Sequence, residues 1–113
     1  SGIIGFLRSE VNPSEEKIVS SFLNQPDNLI WEDVEVMPIE KYLYFDEDRF
    51  IKLNNVIDQY DKGWIILDYR RGTQWAPGME FFLSEYPEKE RWISLEKDIE
   101  TVQIYRWDKE VTR

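Results

Sequence analysis

The chain contains no cysteine and no histidine. Without cysteine there is no disulfide, no thiolate nucleophile and no cysteine-ligated metal. Without histidine there is no Ser-His-Asp triad, no Cys-His pair and no histidine-ligated zinc or copper. General acid–base chemistry would fall to carboxylates, lysine or tyrosine. No apolar run approaches the roughly 20 residues of a membrane-crossing helix. The opening residues, Ser1-Gly2-Ile3-Ile4-Gly5-Phe6-Leu7-Arg8, place no basic segment ahead of their short apolar stretch, so no signal peptide is expected. Neither a Walker-type phosphate loop nor a G-x-G-x-x-G run is present. These absences lead us to expect a cytoplasmic protein, with no cofactor, no metal and no membrane partner.

What is present fits one folded domain, residues 1–113, with 42% hydrophobic and 33% charged side chains. Five Trp, six Tyr and six Phe supply ample core material. A chain of this length buries about 65% of the surface that its unfolded form exposes. The 23 acidic and 14 basic residues give a net charge of −9. The imbalance is local: residues 9–48 hold eleven acids against Lys17 and Lys41 alone, whereas residues 49–113 nearly balance. Such a field repels nucleic acid and anionic membrane and attracts basic partners. Acids also serve solubility alone, which is the plainer account of an acidic surface.

Hydrophobic patterning predicts an α+β domain: a single, mostly antiparallel sheet of about five to seven strands with two helices on one side. Ile3–Leu7 reads as a short strand. Asn12-Pro13-Ser14-Glu15 has the composition of a helix start, followed by Ile18, Val19, Phe22 and Leu23 on one helical face. Leu29–Met37 reads as a strand ended by Pro38, and Lys41–Phe45 as another. Phe50, Leu53, Ile57 and Tyr60 recur at helical spacing over 48–62, with Gly63 placed to terminate that helix. Trp64–Tyr69 is the strongest strand and is expected at the sheet centre. Met79–Leu83, Arg91–Leu95 and Thr101–Trp107 read as three more.

No catalytic residue is assigned. Acidic chains always offer carboxylate pairs, and nothing in the sequence selects two of them. Asp46-Glu47-Asp48 fails as a calcium loop, because the positions that need Gly and Glu hold Ile51 and Ile57. It reads instead as a helix start favoured by the helix dipole. Arg70-Arg71 has the chemistry to hold a phosphate or carboxylate, but paired arginines at a strand end are ordinary. Trp31, Asp33 and Glu35 share one predicted strand face, with Glu32 on the other, and Trp75 lies in a loop beside Pro77-Gly78. Aromatic anchors with a charged rim are the composition of a protein interface, although for any single Trp ordinary packing is the commoner role. The candidate partner-binding set is therefore Trp31, Glu32, Asp33, Glu35, Asp46, Glu47, Asp48 and Trp75.

Lys62 to Gly78 reads KGWIILDYRRGTQWAPG. This segment resembles one in the small acidic immunity proteins that protect bacteria against tRNA-cleaving nuclease colicins. The matching residues are Lys62, Gly63, Ile66, Leu67, Gly72, Pro77 and Gly78. In those proteins a Lys-Gly ends a helix, a strand follows, and a Trp-containing loop closes on Pro-Gly. The resemblance implies a non-enzymatic inhibitor that occupies a nuclease's substrate cleft or an adjacent surface. The charge points the same way, since a nuclease domain is basic in order to hold nucleic acid. The expectation is an immunity- or antitoxin-type protein whose partner is a basic toxin nuclease domain, with no direct nucleic-acid contact. The alternatives are a phage or mobile-element DNA mimic, a small carboxylate-based enzyme or ligand-binding domain, and an accessory domain whose acids serve solubility.

Overall fold

The computed structural model describes residues 2–20, 36–38, 47–69, 78–99 and 101–111, and of 36–38 and 47–49 it describes the backbone. In chain order these form α1 (Gly2–Glu10), β1 (Lys17–Ser20), β2 (Val36–Pro38), α2 (Glu47–Gln59), β3 (Lys62–Asp68), α3 (Met79–Glu85), a 3-10 turn (Pro87–Arg91), β4 (Ile93–Ile99) and β5 (Val102–Asp108). The strands form one sheet in the order β2-β1-β3-β5-β4. β1, β3, β5 and β4 carry it, and the three-residue β2 pairs along the outer side of β1.

The molecule is α+β, but its sheet is mixed, where the sequence predicts a mostly antiparallel one. β1 runs parallel to both β2 and β3, while β5 is antiparallel to β3 and β4. The helices also differ from the prediction of two on one side. Three α-helices are present among the described residues, and they cover both faces. On the first face α2 and α3 bring Phe50, Leu53, Val56, Ile57, Met79 and Phe82 onto Val19, Ile65, Leu67, Ile93 and Trp107. On the second, α1 lays Ile3, Leu7 and Val11 against Ile18, Trp64, Ile66, Val102 and Ile104.

Double-sided cover explains the elements that sequence patterning misassigns. The run Ile3–Leu7 is helical, because Ile3, Leu7 and Val11 recur at every fourth position and project to one side. At Asn12 the expected helix start is a turn. The Ser14 N–H and hydroxyl donate to Asn12 Oδ1 (3.3 and 2.7 Å), and the Asn12 N–H donates to Glu16 Oε1 (2.6 Å). The groups that cap helices here close a loop, which Asn and Ser do equally well. Ile18 and Val19 then fall on opposite faces of β1, both buried. Met79–Leu83 is likewise helical, with Met79, Phe82, Leu83 and Tyr86 turned to the core at i, i+3, i+4 and i+7. β3 is central as expected, and its unbroken Trp64–Leu67 run suits a strand covered on both sides.

Gly63 does not end a helix. It is the second residue of β3 and sits opposite Trp107 of β5. A Cβ at Gly63 would lie 2.5 Å from Trp107 Cζ3 and closer still to two other ring atoms, so the indole occupies the space a side chain would fill. Trp107 is fully buried, and its Nε1–H donates to the carbonyl of Tyr60 at 2.9 Å. Among the described residues no helix is long and apolar enough to cross a membrane.

Candidate functional site

The antiparallel β3–β5 register places Lys62 opposite Asp108 at one end of the sheet. The turn before β1, the end of α2 and the residues after β5 meet there. They enclose an open depression of about 500 Å³ lined by Glu15, Gln59, Tyr60, Asp61, Lys62 and Glu110. Glu15, Asp61 and Glu110 are all exposed. The lining cation, Lys62, pairs with Glu110 at 3.3 Å. Its ammonium is held above the ordinary lysine value, first by the hydrogen bond to Glu110 and then by the charges of Glu110 and Asp108. Lys17 sits over the Tyr60 ring, 4.6 Å from its centroid.

Behind this depression lies a buried ion cluster. Arg106 Nη2 reaches Glu16 Oε2 and Asp108 Oδ2, each at 3.4 Å, and the two carboxylate side chains are 6% and 10% exposed. The guanidinium also lies over Trp64, 5.6 Å from the ring centroid. Glu16 accepts from the Asn12 N–H and Asp108 from the Glu110 N–H, so both carboxylates are fixed from the backbone as well. To one side, Lys89, Arg91 and Lys109 surround Trp92 at 5.2, 5.2 and 5.7 Å. Lys89 is buried and pairs with Asp58, while Lys109 Nζ donates to the Asp58 carbonyl at 2.7 Å. Lys89 and Lys109 tie the C-terminal end of α2, where the helix dipole favours positive charge, to the 3-10 turn and to the residue after β5.

Of the candidate residues read from sequence, Trp31, Glu32, Asp33, Glu35, Asp46 and Trp75 lie outside the described residues. Glu47 and Asp48 form the first turn of α2, as the helix-start reading expects, and their side chains lie outside the description. Three other acids of the 9–48 stretch are placed. Glu10 and Glu15 are exposed, and Glu16 is withdrawn into the pair with Arg106. The depression is thus assembled from positions as far apart as 15, 61 and 110, which no local pattern links. The register that unites them follows from pairing Lys62 with Asp108, and charge complementarity across those strands is the one sequence signal for it.

Chemically, the depression offers the solvated carboxylates of Glu15 and Asp61 together with Glu110, which Lys62 already pairs, beside a tyrosine ring that Lys17 overlies. Among the described residues no group of three carboxylates converges to hold a metal ion. Comparison of the chain with family models, curated proteins and solved structures finds no match.

Proposed function

We propose that the protein is a non-enzymatic, cytoplasmic, acidic inhibitor that binds a basic protein partner, an immunity- or antitoxin-type protein that neutralises a nuclease-like toxin domain. The observation that carries this reading is the sheet-end depression, where Glu15, Asp61 and Glu110 gather around Tyr60. Acids around an aromatic ring suit a lysine- or arginine-rich surface, and desolvation on docking would strengthen each pair. The net charge of −9 adds long-range attraction to a basic domain. The likeness of residues 62–78 to nuclease-colicin immunity proteins supplies the kind of partner.

The test is co-expression with a panel of basic ribonuclease and deoxyribonuclease toxin domains, reading cell survival, followed by association kinetics for any pair that rescues. Rescue by at least one domain is expected, with a rate that falls as salt rises. Charge reversal of Glu15, Asp61 and Glu110 together should slow association by about tenfold or more at low salt. Failure to rescue or bind any member at low salt would overturn the proposal. Displacement of the bound partner by unrelated duplex DNA would reassign the protein as a DNA mimic.

A further inference from the structure

The C-terminal end of β3 lies at the opposite end of the sheet, on the first face. A cavity of about 300 Å³ opens there, lined by Tyr69, Gly78, Met79, Glu80, Gln103 and Tyr105. Asp98 pairs with Gln103 across β4 and β5, and so shares this face. Tyr105 Oη donates to Gln103 Oε1 at 3.1 Å, which fixes the amide. Gly78 approaches from the other side with φ of +92°, and a Cβ there would stand 3.1 Å from the Tyr69 hydroxyl. Both phenols are half-buried, Glu80 and Asp98 are exposed, and no lysine or arginine lines the cavity among the described residues.

We propose that this cavity is a binding site for a guanidinium group carried on an apolar stem, as in an arginine side chain. Two tyrosine rings offer faces for a planar cation, Glu80 and Asp98 offer charge, and Met79 offers apolar contact for the stem. Burial first, and then neighbouring charges that include Asp98 and Glu80, push Tyr69 up to about 12 and raise Tyr105. Of these causes, the charges of Asp98 and Glu80 favour a cation in the cavity, whereas burial disfavours a charge of either sign. The site does not depend on the nature of any partner at the far end of the sheet, so its test and that of the inhibitor reading fail separately.

The experiment follows the backbone amide resonances of Tyr69, Gly78, Gln103 and Tyr105 while N-acetyl-arginine amide, agmatine or N-acetyl-citrulline amide is added. Citrulline keeps the shape of arginine and part of its donor set, with a carbonyl acceptor in place of one nitrogen, and lacks its charge. Saturable shifts with arginine amide, in the millimolar range expected for one isolated group, and little effect from citrulline support the proposal. Tighter binding of agmatine than of arginine amide would assign the site to a free guanidinium compound, and the reverse order to a protein side chain. Glu80→Gln, at an exposed position, should weaken binding about two- to fivefold. Tyr105→Phe, which keeps the ring, should weaken it less than Tyr105→Leu, with melting curves confirming that each variant folds. Equal shifts from citrulline and arginine amides, or none from either at tens of millimolar, would overturn the proposal.

Discussion

Gly63→Ala tests the packing argument at its tightest point. Two accounts of this glycine make different predictions. As a helix terminator in the left-handed conformation it would cost about 1 kcal/mol when replaced, whatever stands at position 107. As the floor beneath the Trp107 indole its replacement forces the ring to move, because the new Cβ would sit 2.5 Å or less from three ring carbons. Overpacking of this kind costs about 1–3 kcal/mol. Displacing the ring also breaks the bond from Nε1 to the Tyr60 carbonyl and strands a buried donor, about 1–3 kcal/mol more. The expected loss is therefore about 2–6 kcal/mol, a large share of the stability of an ordinary domain. Thermal and urea unfolding measure it, and near-ultraviolet circular dichroism reports the indole's changed surroundings. The decisive comparison is a double-mutant cycle with Trp107→Leu. That substitution is itself destabilising, but it removes the ring, so alanine at 63 should cost less than about 1 kcal/mol in that background. The same penalty in both backgrounds, or a small penalty in the wild type, would refute the reasoning.

Two further perturbations probe other parts of the molecule. Arg106→Met keeps an apolar stem over Trp64 and strips the cation from Glu16 and Asp108. With Arg106 itself partly exposed, the loss should be about 2–3 kcal/mol in urea unfolding, and a loss under about 0.5 kcal/mol would mean that the carboxylates find other partners. Tyr69 links stability to alkaline pH. Its folded-state value of about 12 lies above the ordinary 10.0, so the neutral phenol's contribution is fully present below pH 10 and is lost as pH rises from 10 to 12. Because the ring is only half-buried, that contribution is discounted to about 1 kcal/mol. Tyr69→Phe should flatten the stability profile across this window, and an unchanged profile would count against it.

The parts of the fold legible in the sequence are those where one element's own spacing decides the matter. Phe50, Leu53 and Ile57 announce α2, and Trp64–Leu67 announces a covered strand. Misassignment occurs where a short apolar run fits both periods. Ile3–Leu7 and Met79–Leu83 each hold too few residues to separate strand from helix, and what settles them is the partner surface they reach, given by the β3–β5 pairing rather than by local pattern. The mixed topology has a similar cause. β1 reads as the continuation of a helix because Asn12-Pro13-Ser14-Glu15 starts helices and closes turns with the same hydrogen bonds. The acidic stretch 9–48 is legible as a count, and most of its side chains lie outside the described residues. The sheet-end depression is not legible, since Glu15, Asp61 and Glu110 meet only after three elements have been placed.

Glu16 shows why position in the fold, rather than count along the chain, decides what a carboxylate does. It belongs to the acidic stretch 9–48, yet its side chain is 6% exposed and its charge is taken up by Arg106 from the C-terminal strand. Glu15, the next residue, is exposed and lines the depression. Neighbours in sequence thus have opposite roles, one internal and one facing outward. This separates two effects that charge-reversal experiments on acidic proteins usually mix. Glu16→Gln leaves Arg106 with Asp108 alone and should lower stability while raising the net charge by one unit and leaving the depression's own acids in place. Glu15→Gln, which changes the net charge by the same single unit, should leave stability nearly unchanged and slow the capture of a basic partner. If both substitutions slowed association equally at matched stability, net charge alone would govern encounter, and the depression would lose its claim to be the docking point.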